Sequence, residues 1–541
     1  MNFVNSHRYE QAFAFTIDTT LVNAQTTNSS SYKIPLESGN FSWFVNWGDG
    51  QSDLITSPTQ SEATHVYSSG GTYNITVTGN VKGLRNNATG TDAIKITNIS
   101  NWGGFNVSKG STFSGCTNLT ITATDVPRFT LNTGFSGMFY NCSSLTSIPN
   151  IQNWDLSSQT NLNDSFFNCS SLTSLNISSW DVSSVTTMTN TFRGCSQLTT
   201  LNVANWNVSS VTAMQFLFFN CSSLTSLDIS NWNVSSVTSL NSVFRACNQL
   251  TSLDVSSWNT SSLLDASYIF YQCQGLSTLT TTNWDMSSVT NTTGMFYQCQ
   301  NLTTVGSTTN WDVSSVTNMQ QMFYECRDIT TLDVSNWNVS SVQKFLLTFY
   351  RCEDLTSLDV SSWNVSSVEN FQAMFLQCTN LTALDVSNWN TSSAENMTSL
   401  FASCTSLSSL NVTSWDTSLV ETFQNTFEYL STTTFDCSGW DVSSGTNFQG
   451  MLRDCDLFDY SLASWDVTSA TNFNFFMSSA NGLSIANYNA TLISWESQSL
   501  QSNVTAAFGN SQYSAFGSAA TARASIISTY NWTITDGGGV A

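Results

Sequence analysis

From residue 115 to 480 the apolar positions of this chain return with a fixed period. Counted from a cysteine as zero, they fall at +3 (Leu172, Leu224, Leu355), +6 (Leu175, Leu227, Leu358) and +8 (Ile177, Ile229, Val360). They continue at +11 (Trp180, Trp232, Trp363), +13, +16, often +19, and +23 (Phe192, Phe244, Phe375). From Cys142 to Cys404 every interval between cysteines is 26 or 27 residues. Self-similarity at this length predicts a solenoid, whose coils bury their apolar faces only against one another. The alternation around +6 predicts one short strand per coil. Its pleat sends +6 and +8 inward and +5 and +7 to solvent. Coils about 4.8 Å apart would stack some thirteen repeats into a rod roughly 60 Å long.

The +3 to +13 segment reads L-x-x-L-x-[LVI]-x-x-W-x-V, a leucine-rich-repeat strand pattern with Trp where Asn or Cys normally stands. With the runs "MFYNCSSLTSI" and "SWDVSSVTTMTNTFRGC", the chain resembles the BspA-like leucine-rich-repeat surface proteins, which carry the mycoplasma-lipoprotein type of 26-residue repeat. The resemblance implies a β-rich solenoid, surface exposure and binding. It does not imply a particular ligand.

The flanks break the period. "VNWGDG" (Val45–Gly50) and "THVYSSGGTYNITVTG" (Thr64–Gly79) alternate apolar and polar residues between Gly-rich turns, which predicts strands. They resemble a PKD-type immunoglobulin-like β-sandwich, a usual spacer or mount, with Trp47 and Tyr73 as expected core residues. The expected organisation is an arm at 1–10, the sandwich at 11–85, and a degenerate first coil and cap at 86–141. The solenoid follows at 142–480, and a C-terminal cap at 481–541 in which "ANYNATLISWESQSL" and "SAATARASIISTYNWTI" read as helices or short coils. Leu430 stands where the period calls for Cys, and Cys437 moves to an inward strand position.

Composition narrows the chemistry. Acids outnumber bases 36 to 14, for a net charge of -22, and only 9% of residues are charged. Without Lys/Arg blocks, nucleic acid is excluded as an expected partner. No apolar run is long enough to span a bilayer, so no membrane insertion is expected. The first residues hold no basic segment before an apolar core, so they do not read as a secretory signal. Only His7 and His65 are present, and neither a Ser-His-Asp set, an HExxH nor a phosphate-binding Gly loop occurs. The expectation is a protein that is not an enzyme and needs no cofactor, its acidic surface attracting Ca2+ at most loosely.

Cys221 and Cys247 represent a cysteine column. Neighbours in register point the same way, so a disulfide would strain the coil, and the favoured reading is a reduced, buried column; alternate disulfides or a redox role stand beside it. Trp232 and Trp258 represent the indole column. Exposed indoles could stack on sugars, but a buried ring with its N–H on a backbone carbonyl fits the position better. At +12 Asp and Asn interchange freely, as local turn formation allows. The +7 row reads differently: Asp228, Asp254, Asp333, Asp359 and Asp385, with Ser226 at +5, make an exposed polar strip suited to glycan hydroxyls or cations, against the plainer reading of a solvated sheet face. Sequons such as Asn207, Asn233 and Asn364 arise from the repeat unit itself.

Two function classes carry these features. A phage virion component, a receptor-binding fibre or decoration protein, fits a polar rod without a signal. It would contact other virion proteins through the arm and sandwich, and host-surface glycans or proteins through the solenoid. The arm could also assemble a homo-oligomer. A BspA-like bacterial surface adhesin is the alternative, and a structural extracellular fibre subunit a third. The sequence alone favours the virion.

Overall fold

The computed structural model describes residues 11–37, 42–86, 92–130 and 132–541, so the expected arm at 1–10 lies outside the described residues. The chain forms two compact units, Met1–Ser262 and Leu263–Ala541.

In the first unit, strands β1 (Phe13–Asp18), β3 (Ser42–Asn46), β4 (Ser52–Ile55) and β6 (Thr72–Asn80) form an antiparallel sheet, while β2 (Ser31–Lys33) and β5 (Thr64–Val66) pair apart from it. Alternation sets the faces: Phe13, Phe15 and Ile17 are buried on β1, Trp43 and Val45 on β3. The turn after Trp47 needs glycine, because Gly48 has φ +83 and a Cβ there would lie 2.5 Å from the Asn74 carbonyl oxygen. Trp47 is fully buried, and its Nε1 donates to Asp53 Oδ2 at 2.7 Å. Tyr73 is only half-buried. It shares the inward face of Ile75 and Val77 but sits at the start of β6, stacked at 3.7 Å on the buried Tyr67.

The sheet crosses the boundary expected at 85/86. β1 offers its other edge to β7 (Ile96–Asn101), antiparallel, and β7 pairs in parallel with β9 (Thr120–Ile121), Ile99 opposite Ile121. A parallel, coil-to-coil ladder therefore begins on the edge of the N-terminal sheet. It continues through β8 (Asn106–Val107) with β10 (Arg128–Phe129), then β11 (Ser174–Leu175) with β12 (Thr200–Leu201); β13 (Ser252–Asp254) follows in chain order.

These strands are only two or three residues long, so most coil-to-coil bonding lies elsewhere. Just before each cysteine, alternate peptides stand along the stack: Asn190, Phe192 and Gly194 donate N–H to the carbonyls of Gln215, Leu217 and Phe219 at 3.0, 3.0 and 2.7 Å. The peptides between them close tight turns, Arg193 N–H to Asn190 O and Cys195 N–H to Phe192 O. That alternation demands left-handed backbone twice per coil, as at Phe216 (φ 58) and Asn220 (φ 59), and again at Ser242 (φ 56) and Ala246 (φ 60). Such residues cost about 1–2 kcal/mol each. The stacked bonds and the core behind them offset this.

The second unit repeats the scheme from β14 (Thr278–Thr280) onward. Leu430 is buried in the cysteine column, and the Cys437 carbonyl accepts the Trp465 indole as Val412 accepts that of Trp440. The last coils gain helices, α1 (Ile485–Glu496) and α2 (Ser518–Tyr530), with β15 (Thr505–Ala507) parallel to β17 (Thr533–Thr535) and β16 (Tyr513–Ser514) parallel to β18 (Gly539–Val540). Among the described residues no helix is long and apolar enough to cross a membrane.

Candidate binding face

The two residues that repeat most faithfully face inward. Trp232 is 1% exposed, its Nε1 donates to Val203 O at 3.1 Å, and its ring lies parallel to Trp206 at 6.3 Å. Trp258 is buried likewise, with Nε1 donating to Ile229 O at 3.2 Å. No indole face in this column is open to a sugar ring. Cys221 and Cys247 are buried, and their Sγ atoms donate to the carbonyls of Phe192 and Phe218 at 3.1 and 3.2 Å. Burial pushes the Cys221 thiol up, and that of Cys195 in the preceding coil to about 12. They stay protonated at neutral pH and offer no nucleophile.

The outward rows differ from the expectation in one respect. Asp228, Asp254, Asp333, Asp359 and Asp385 are all exposed. Yet each closes the same local turn as the +12 residues. Asp228 Oδ1 accepts from Ser230 N–H at 3.2 Å and Oγ at 2.8 Å; Asp385 Oδ1 accepts from Ser387 N–H at 3.0 Å and Oγ at 2.6 Å. Asp254, Asp333 and Asp359 accept from the N–H of Ser256, Ser335 and Ser361. At +12, Asp181 holds Ser183 in the same way. The contrast drawn between the rows fails because the chain turns at both ends of so short a strand. Hydrogen bonds from the serine hydroxyl first, then its N–H, hold the carboxyls of Asp254, Asp333 and Asp385 low. One oxygen of each turn carboxylate is thereby fixed; at Asp333 the other accepts from Thr309 Oγ1 at 3.3 Å.

Ser226 and Asp228 border an open depression of about 550 Å³ on the strand face of the first unit, shared with Asn176, Thr200, Asn202 and Ala204. The other expected residues of the row do not border it. Asn176 and Asn202 hold the +7 position in the two preceding coils, whereas Ala204 was missed, although the signal was present: it occupies +9, where Ser178 and Ser230 stand in the adjoining coils.

Elsewhere the titratable chemistry is structural. His65 Nε2 lies 2.8 Å from Asp49 Oδ2, with its ring stacked on Trp47 at 4.7 Å, inside the N-terminal sheets. The buried Lys95 ammonium donates to three carbonyls, of Thr27, Asn28 and Ser31, and to Thr27 Oγ1, with Asp92 3.6 Å away. His7 lies outside the described residues. Among the described residues no group of three or more His, Cys, Asp or Glu could hold a metal ion.

No curated protein matches this chain. Among solved structures, the "Crystal structure of TLR13-ssRNA13 complex" is similar at 11% identity, covering 80% of this chain and 87% of that one, with a TM-score of 0.18. At that score the likeness informs neither fold nor ligand. Residues 65–160 match the family described as "BspA type Leucine rich repeat region (6 copies)". Residues 133–227, 190–305, 300–410 and 403–516 match "Mycoplasma protein of unknown function, DUF285", and because these matches together run over most of its length, the chain belongs to that family.

Proposed function

We propose that this chain is a non-enzymatic, surface-exposed binding protein of the adhesin type, presenting the strand faces of its coils to host-surface glycans or proteins. The observation that carries this reading is the exposed +5/+7 face, where turn residues such as Asp228 and Asp385 are held by one oxygen and keep the other free. A repeated, preorganised row of acceptors beside hydroxyls suits polar ligands, since little side-chain freedom is lost on binding. The match to the BspA type repeat supports a bacterial cell-surface adhesin over a virion component. On either reading the PKD-like N-terminal sheets act as the mount, no cofactor takes part, and neither nucleic acid nor membrane insertion is involved.

The test is twofold. Protease shaving and antibody labelling of intact source cells should find the chain outside the membrane, and the purified full chain should bind an array of glycans and extracellular-matrix proteins. A chain protected inside intact cells, or one binding nothing above an unrelated solenoid protein, would refute the reading.

A further inference from the structure

The +7 row of the first unit runs Asn176, Asn202, Asp228 on successive coils. At about 4.8 Å per step, the three side chains span roughly 10 Å. Their register is fixed: Leu175 pairs with Leu201, and Thr200 bridges both Ser174 and Ser226. The middle coil lacks the +9 hydroxyl, because Ala204 stands between Ser178 and Ser230. The depression of about 550 Å³ lies over this gap, with Leu175 and Leu201 in its lining and the three +7 side chains around it. Its volume falls in the range of small-ligand sites.

The hydrogen-bonding state of the row is uneven. Asp228 Oδ1 takes two bonds from Ser230, whereas Asn176 accepts only from Ser178 Oγ at 3.3 Å, and Asn202 only from Ala204 N–H at 3.4 Å. Both asparagines thus keep their NH2 donors uncommitted among the described residues, and Asp228 keeps Oδ2. The depression offers donor, donor and acceptor in a line, beside leucine side chains. A saccharide matches that arrangement, because each hydroxyl both donates and accepts while ring C–H groups present an apolar patch. Asp228 and the net charge of -22 oppose an anionic ligand.

We infer that this depression is a subsite for a neutral saccharide about two sugar units long, with Asn176 and Asn202 donating to hydroxyl oxygens and Asp228 Oδ2 accepting from a hydroxyl. The inference rests on the binding-protein reading above and narrows it to one place and one ligand class.

The full chain is first probed on an array of neutral oligosaccharides and their sialylated and sulfated counterparts. The strongest neutral disaccharide is then titrated calorimetrically against N202D and D228N. Each swap keeps the Oδ1 that closes the turn and inverts the ligand-facing group, and Asn and Asp alternate along this row in other coils, so folding is preserved. Each should weaken binding at least tenfold with an unchanged melting temperature, while N364D, an exposed turn residue on the second unit, leaves binding intact. Equal binding by N202D, D228N and the parent would overturn the subsite and leave the binding function standing, as would binding confined to anionic glycans. Absence of binding to any glycan or protein would overturn both.

Discussion

Replacing Trp232 by Phe probes the column that joins coil to coil. The indole is 1% exposed and stacks on Trp206 at 6.3 Å, and its N–H reaches Val203 O at 3.1 Å. A phenyl ring leaves about 60 Å² of buried area unfilled, ~1.5 kcal/mol at 25 cal/mol per Å². The lost hydrogen bond adds about 1 kcal/mol, and not more, because Val203 O keeps the Trp206 N–H at 3.0 Å. The expected loss is therefore about 2.5 kcal/mol. Trp154 supplies the control: it is buried at 3% but its Nε1 has no acceptor, so W154F should cost only the area share, about 1.5 kcal/mol. Urea unfolding followed by amide hydrogen exchange reads both. In a stack held by nearest neighbours the loss should appear as earlier exchange in the coils beside the substitution rather than throughout. Equal costs for the two variants, or a W232F cost below about 0.5 kcal/mol, would refute the assigned indole-to-carbonyl bond.

Other consequences are as direct. All fourteen cysteines are buried, so iodoacetamide at pH 8 should label none of them in the folded chain and all of them in denaturant; rapid native labelling would contradict the column. Ala246 holds φ 60, where a Cβ is strained by about 1–2 kcal/mol and glycine gives back part of that in entropy. A246G should therefore raise the urea midpoint by the equivalent of about 0.5 kcal/mol, and a lowered midpoint would refute the strain. Asp155, Asp181, Asp254, Asp312, Asp333, Asp385 and Asp441 all have carboxyls held low by serine hydroxyl and then serine N–H bonds. Their contribution is fully present above the unfolded value near 3.9 and is lost as pH falls through the lower folded values. Melting temperature should hold from neutrality to about pH 4 and fall below it. A fall already complete by pH 5 would mean that other groups govern acid unfolding.

The repeat solenoid was legible because a 26-residue period with one Cys and one Trp per coil leaves few other ways to bury Leu224, Leu227 and Ile229 together. The left-handed turns were not legible, since Phe216, Ser242 and Ala246 are not residues that announce positive φ. Only stacking on neighbouring coils holds them there. The pairing of β1 with β7 was equally hidden: it joins residues some eighty positions apart, and local alternation says nothing about which edge a strand will choose. At the candidate face, the exposure of Ser226 and Asp228 follows from the pleat. The turn made by Asp228 depends on how soon the strand ends, which the pattern of apolar positions does not fix. The depression turns on a single missing hydroxyl at Ala204, a departure within the repeat that the regularity around it disguises.

The axial peptides before each cysteine also give the stack a mechanical character. Asn190, Phe192 and Gly194 all bond their next neighbour in one sense, and the Cys221 thiol and Trp232 indole reach back across the same step. Tension along the stack loads these interfaces in series, and the bonds of whichever one gives way part as a group. Each yield frees about 26 residues, as between Cys195 and Cys221, roughly 90 Å of extended chain, which relaxes the load on the coils that remain. A tether built this way would give ground in even increments under pull, absorbing work at every step while the remaining coils stay folded.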